Sequence, residues 1–589
     1  MVLRDAPATL DRVAPLSGHF RKRYATPRLL RAEASGWSIA HPDSEIALIT
    51  IFRARRIVTM SPSRPFGTHV AVREGRILGV GTAEEMASCA ATTDERYADK
   101  VLLPGFVEGH AHVMEGTLWQ RTYVGAHDRR RPDGVLVRGL STIDAVVARL
   151  REASEAMTDP DALLYAWGWD PLHVGGARLT RHDLDRVSTT RPVMVHHASL
   201  HITNVNSLLL ARAGFDAGTN IDGVPKLPDG TPSGELQGIA ARLRVFRALG
   251  TNPMAGLEGA GDVQRFADAA TLQGITTITD LHNELPEKTV EIYRAATRGR
   301  FGVRLVPALA SVSVPPEEGV ERIRALRPLG NDKLRFGLVK IIVDGSIQGF
   351  TARLLPPGYH NGAPNGLWYV APEDLVRIVG IYHRAGIQLH IHTNGNEATE
   401  AALEAVEAAQ DAHFRADHRH TLQHCQMATE AQFRRIKALG LCANLFSNHL
   451  WYWGDAHWEL TMGPERAARM NAAATAARLG VPFALHSDAP VTPLGPLFTA
   501  WCAVNRVSSS GRVLGEEQRI GVEEALRAVT LGAAYTLKMD HLVGSIEAGK
   551  FADFAVLDDD PLAVAPEAIK DVGVWGTVVG GEVFAAPGQ

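Results

Sequence analysis

The chain is poor in cysteine, with four in 589 residues. Cys89, Cys425, Cys442 and Cys502 form no close pairs, which excludes a disulfide scaffold or thiolate metal site; buried thiols in a reducing, cytoplasmic compartment are expected. An excess of either charge is also missing. A formal net charge of -4 gives no electrostatic basis for a nucleic-acid partner or an anionic membrane surface. No apolar run approaches the roughly 20 residues that a membrane-spanning helix needs. The first 45 residues carry Arg4, Arg12, Arg21, Arg23, Arg28 and Arg31 but no apolar core before a small-residue cleavage site, so a secretory leader is not expected. A transit peptide remains open, as does a solvated arm packing on the body or on a second copy in a homodimer. Hydrophobic residues at 45% and charged residues at 21% are ordinary for a soluble protein large enough for more than one core.

What is present begins with Val101-Leu-Leu-Pro-Gly-Phe-Val-Glu-Gly-His-Ala-His-Val113. The apolar run predicts a short buried strand, and His110 and His112, two apart at its end, would leave from one face. Paired imidazoles on a stiff strand suit zinc or a similar borderline ion. Among 24 histidines a single His-x-His is weak support, so further ligands must recur at later strand ends.

From Ile46 to about residue 100, short β-rich runs are punctuated by Gly67, Gly75 and Gly79, and the last fifty residues repeat that pattern in Ala552-Asp-Phe-Ala-Val-Leu and the segment from Val572. Residues 46–100 and 540–589 are therefore expected to build one small composite β-sandwich domain from both chain ends, after an N-terminal extension of residues 1–45. Over 101–539, apolar strands alternate with helical, alanine-rich stretches. Eight strand candidates can be counted: Val101–Val107, then runs starting at Gly274, Arg304, Gly337, Gln388, His420, Cys442 and Pro482. The fold class is α/β, a TIM-like (β/α)8 barrel whose active site would lie at the C-terminal strand ends. Residues 114–260 are too many for one crossover helix. They predict a large insertion after strand 1, a lid and specificity subdomain with its own strands.

At the expected strand ends stand Lys340 on the fourth strand, His392 on the fifth, His424 on the sixth and Asp488 after the eighth. Buried charges and imidazoles are costly without partners, so their recurrence beside His110 and His112 favours a shared site over scattered core residues.

These motifs carry a resemblance. Pro104-Gly-Phe-Val-Glu-Gly-His-Ala-His, Val339-Lys-Ile-Ile-Val-Asp-Gly-Ser, His392-Thr-Asn-Gly-Asn, Arg419-His-Thr-Leu-Gln-His, His486-Ser-Asp-Ala-Pro-Val and Gly544-Ser-Ile-Glu-Ala-Gly-Lys-Phe-Ala-Asp are similar to the amidohydrolase superfamily. Within it they resemble the amidohydrolase-3 branch, which includes N-substituted formamide deformylases. The resemblance implies a hydrolase acting on a small-molecule amide-type substrate, with two divalent metal ions, zinc by expectation. His110, His112 and Asp488 would bind one ion, His392 and His424 the other, and a carboxylated Lys340 would bridge them. Asp488 would also act as general base. The chain departs from the branch at Gln348, Phe350 and Asn396, which puts the family's substrate contacts in doubt but leaves the ligands intact. His201, in Ser199-Leu-His-Ile-Thr-Asn-Val-Asn-Ser, resembles a segment that holds substrate, although a helix-capping role fits as well. Trp119 and Tyr123 after the first strand, and Trp451, Trp453 and Trp458 after the seventh, make a partly apolar substrate pocket one reading and packing under a lid another. Gln348, Trp119 and His201 are the substrate-contact candidates. Two rivals stay open, a one-metal deaminase of a ring amidine and a non-catalytic binding barrel.

Overall fold

The computed structural model describes residues 49–87, 91–251 and 257–587, with backbone alone for 238–240. The N-terminal extension of residues 1–45 and Cys89 lie outside the described residues. Eight strands form one parallel sheet in chain order: β1 (Phe106–Glu108), β2 (Ile275–Asn283), β3 (Arg304–Ala310), β4 (Leu338–Ile342), β5 (Gln388–Thr393), β6 (Thr421–His424), β7 (Cys442–Leu445) and β8 (Phe483–Leu485). Every residue of β3, β5, β6 and β7 is buried, as expected for parallel strands covered on both faces. Beyond the two edge strands, Ala111 and Ala489 form a parallel bridge, and the amide of His112 donates to the Ala489 carbonyl at 2.8 Å. The sheet therefore curls until its edges are bonded at their C-terminal ends, giving a TIM-like α/β fold.

The covering helices follow from sequence period. Helix Pro372–Arg384 starts with proline and carries Glu373 and Asp374 in its first turn, where their charge complements the helix dipole. It buries Leu375, Val379, Tyr382 and His383, a helical stripe turned to the core. Burying each of its aliphatic side chains contributes about 1.5–3 kcal/mol, so a charge at Val379 would strip this helix from the sheet.

The first strand departs from expectation. The run Val101–Val107 does not form one barrel strand but divides at Gly105. Residues before it belong to the strand Ala91–Pro104, paired antiparallel with Phe554–Leu557, and only Phe106–Glu108 joins β2. A β-carbon at Gly105 would collide with the Thr276 side chain, so the chain can change sheets here only with glycine. The other sheet has seven strands in the order Glu582–Ala585, Val574–Val579, Phe554–Leu557, Ala91–Pro104, Ile49–Val58, Phe66–Arg73, Arg76–Gly81, drawn from both ends of the chain.

Between β1 and β2 lies a five-stranded sheet ordered Glu235–Gln237, Ile202–Val205, Val193–His197, Leu164–Trp169, Thr122–Tyr123. Its two faces bury separate apolar clusters, one around Trp119, Tyr123 and Trp167, the other around Val124, Leu150 and Trp169. Alternation sends Tyr165 and Trp167 to one cluster and Leu164 and Ala166 to the other, and the register shift at Gly168 (φ 97°) turns Trp169 to the second.

Candidate metal centre

The C-terminal strand ends gather the polar residues. Lys340 lies within β4, His392 within β5 and His424 at the last position of β6, while His110 and His112 follow β1 and His486 and Asp488 follow β8. Four non-glycine residues here adopt left-handed backbone: His282 (φ 84°), His424 (φ 73°), Cys425 (φ 46°) and Asp488 (φ 54°). Such conformations persist only where neighbours over-determine them, and they concentrate at functional sites. At Asp488 the neighbours are His110, whose carbonyl accepts from the Asp488 amide at 3.1 Å, and Val491, whose amide donates to the Asp488 carbonyl at 2.7 Å.

Asp488 Oδ1 lies 3.3 Å from His110 Nε2 and 3.2 Å from His112 Nε2, and its Oδ2 is 3.7 Å from His424 Nδ1. Lys340 Nζ is 3.2 Å from His110 Nε2, and His424 Nε2 is 2.9 Å from His392 Nδ1. Donor atoms of His110, His112 and Asp488 lie within 4.8 Å of one another, as do those of His110, His424 and His486. Thus all six residues expected as ligands meet at one end of the sheet.

Gln423 of β6 fixes how His110 points. The Nδ1–H of His110 donates to Gln423 Oε1 at 2.8 Å, Asn444 donates to the same oxygen at 2.9 Å, and Gln423 Nε2 donates to His390 at 2.7 Å. With Nδ1 protonated, Nε2 presents a lone pair to Asp488 Oδ1, another acceptor. Two acceptors 3.3 Å apart are tolerated only with donors or a cation beside them; here Lys340 Nζ meets His110 and His112 Nε2 meets Asp488, and a metal ion would satisfy the same lone pairs. Among the described residues, His424 Nδ1 and both nitrogens of His486 are buried without a hydrogen-bond partner, which fits the same need. The donor set, imidazoles with one carboxylate, suits zinc or a similar divalent ion.

The electrostatics agree. Burial first, and then the charge of Lys340, holds His110 and His392 well below the usual imidazole range; burial and then His392 do the same for His424. Neutral imidazole is the form that ligates. Burial pushes Lys340 down to about 7. Burial alone would raise Asp488, but the hydrogen bond from His112 and the nearby charges of His112, His486 and Lys340 hold it below the usual carboxylate range. Around these residues, Glu108 accepts from Ser487 Oγ at 2.7 Å and from the His110 amide at 3.3 Å, tying the loops after β1 and β8 together. Asp344 accepts from the amides of Asn394 and Gly395 and so holds the loop after His392.

Two residues escaped the sequence reading. His486 is stacked between His110, at a centroid distance of 4.8 Å, and Phe446, at 4.7 Å. Its signal was present, because His486 and Asp488 repeat the i,i+2 spacing of His110 and His112. His282 stands two residues beyond the apolar run that marked β2, and burial pushes its imidazole down to about 3.

The substrate-side candidates separate. His201 comes from the insertion, yet Asp488 and His112 are among the charges acting on it, and its Nδ1 is 3.4 Å from the Tyr369 hydroxyl. Burial, with Arg242 next, pushes its pKa down to about 4. Gln348 is buried, and its side-chain oxygen has no hydrogen-bond partner among the described residues. Trp119 packs in the apolar cluster of the insertion, edge-on to Trp167 at 5.2 Å, with its indole N–H on Glu115 Oε1. Trp453 likewise packs, donating to Asp170 Oδ2 of the insertion at 2.9 Å. Asn396 opens the helix Asn396–Ala412 and accepts from the Leu355 amide at 2.9 Å, while Phe350 lies against Tyr359.

A family described as the amidohydrolase family matches residues 98–585. A protein of Bacillus subtilis (strain 168) bearing the name amidohydrolase YtcJ is 27% identical over 539 residues, covering 87% of this chain and 95% of its own. The N-substituted formamide deformylase of Arthrobacter pascens is 25% identical over 539 residues, covering 87% of this chain and 94% of its own. Among solved structures, an uncharacterized metal-dependent hydrolase from Pyrococcus horikoshii OT3 superposes with a TM-score of 0.67 at 18% identity, over 88% of this chain and 99% of that one. That likeness establishes the fold.

Proposed function

Because the chain belongs to the amidohydrolase family, we propose that it is a metal-dependent hydrolase cleaving a non-peptide, amide-type carbon–nitrogen bond in a small molecule. The observation that carries this reading is the confrontation of His110 Nε2 with Asp488 Oδ1 at 3.3 Å, beside a lysine amine with a pKa of about 7.

In this reading His110, His112 and Asp488 would hold one ion, and His392 and His424 would hold a second. The free amine of Lys340 would add to carbon dioxide and lose a proton, giving a carbamate whose single negative charge is shared by two oxygens and could serve both ions. Bound divalent ions lower the pKa of water and polarise a carbonyl oxygen. Asp488 is ionised at neutral pH and accepts a proton at Oδ1 or Oδ2, then delivers it to the leaving nitrogen. His201 and Tyr369 are the polar groups available to orient the substrate, and His201, neutral at pH 7, can still donate one hydrogen bond.

The test combines metal analysis with a panel of N-substituted formamides, other amides and ring amidines. Two zinc ions per chain with amide hydrolysis is the expected result. One ion per chain with ammonia release from a ring amidine would replace it with the one-ion reading, which the gathering of His110, His424 and His486 within 4.8 Å favours. Metal-replete protein inert on the whole panel would leave the binding-barrel reading.

A further inference from the structure

Arg129 belongs to the insertion, in the short ribbon Arg129–Arg130 paired with Leu136–Val137, yet its guanidinium is spent on the barrel. It is 5% exposed. Nη1 donates to the Pro490 carbonyl at 2.7 Å, and Nη2 donates to the Thr492 carbonyl at 3.3 Å and to Glu115 Oε1 at 3.0 Å. Its cationic carbon lies 5.0 Å from the centroid of the Trp167 ring, so the insertion's own core supports it. Pro490 and Thr492 are two and four residues past Asp488. The same loop is closed from the barrel side: Thr492 Oγ1 donates to the Ser487 carbonyl and accepts from Asn448 Nδ2 at 2.8 Å.

Asp488 sits in left-handed backbone, which a non-glycine residue keeps only under restraint. One planar fork meets two loop carbonyls and one carboxylate in fixed directions, which an ammonium on a flexible stem cannot reproduce. We propose that Arg129 is a positioning residue for Asp488, a fork from the insertion that holds the loop 488–492 in the conformation bringing its carboxylate to His110 and His112. The insertion is then part of the active-site framework as well as a cover. This inference rests on the proposed role of Asp488.

The experiment uses the full chain with Arg129→Lys and Glu115→Gln. Amide hydrogen exchange is followed in metal-free protein over peptides spanning 486–493, with strands 164–169 and 193–197 as internal controls. Zinc affinity and steady-state kinetics follow on reconstituted protein. Arg129→Lys should speed exchange in 486–493 while the control strands stay protected, and weaken zinc binding. It should cut kcat by about 10- to 100-fold with KM little changed, the size expected for a displacement of about 1 Å. Glu115→Gln should move the same quantities in the same direction by less, and it decides the matter should Arg129→Lys not fold. Wild-type exchange in 486–493 together with wild-type zinc affinity in the variants that fold would overturn the proposal. Wild-type protein that neither binds zinc nor cleaves an amide would defeat the functional reading instead, while the exchange data would still judge the clamp.

Discussion

His110 Nε2 and Asp488 Oδ1 face each other at 3.3 Å, one just past the first barrel strand and the other just past the last. The contact exists because the sheet closes on itself, and the bridge between Ala111 and Ala489 holds it from behind. Replacing either side should therefore affect chemistry before fold. Asp488→Asn keeps the shape but cannot accept a proton at neutral pH, so kcat should fall by about 10²- to 10⁴-fold with KM little changed. His110→Ala should lose metal and turnover while circular dichroism stays native. Near-normal kcat in Asp488→Asn would remove the carboxylate from the mechanism.

Lys340 distinguishes two ions from one. Lys340→Ala should bind less metal and regain part of its activity when formate or acetate is supplied, because a small carboxylate can occupy the vacated space. Lys340→Arg should not be rescued, since a guanidinium stays charged and fills that space. Crystals at neutral pH provide the check, and an unmodified amine remote from any metal would sink the bridging role.

His486 can be tested against its packing. His486→Phe keeps a ring between His110 and Phe446 but removes both nitrogens. If those nitrogens serve the metal, affinity should fall by about 10- to 100-fold, measured by competition with a chromogenic chelator. Unchanged affinity would reduce His486 to a stacking residue.

A second group of histidines lies outside the metal centre and predicts a pH dependence of stability. His418 Nε2 donates to the Leu439 carbonyl at 2.8 Å and its Nδ1 accepts from the His420 amide at 3.0 Å, next to a contact of His383 with His420 at 2.9 Å. Burial pushes His418 down to about 4. The unfolded chain, with histidine near 6.5, binds more protons, so the stability this residue contributes is lost as pH falls from about 6.5 through 4. His418→Gln cannot take up that proton. Urea midpoints measured from pH 7 to 4.5 should fall less steeply in the variant; equal slopes would show that His418 does not carry the dependence.

Much of the site was legible in the sequence because its residues stand at the ends of apolar runs. A strand of period two places His110 beside His112, and a buried lysine or imidazole in such a run demands a partner, so Lys340, His392, His424 and Asp488 stood out. The boundary of β1 was misplaced because Val101–Val107 is uniformly apolar and hydrophobicity does not mark a change of sheet. The collision that makes Gly105 obligatory involves Thr276, which is distant in sequence. His282 was missed because its left-handed turn lies past the last apolar residue of its strand.

By itself the sequence determined which polar residue types gather at the site, their strand ends and the alternation that builds a parallel sheet, since these depend on local period and on the cost of burying charge. Tertiary structure decided what depends on distance across the fold. It put Trp119 into the core of the insertion, because its nearest apolar neighbours, Trp167 and Tyr123, meet there once the five strands pair. It aimed His110 through Gln423 and brought Arg129 from the insertion onto the carbonyls beyond Asp488. Hydrogen bonds form between atoms within about 3 Å, and nothing in the order of residues states which distant atoms closure of the sheet will bring that near.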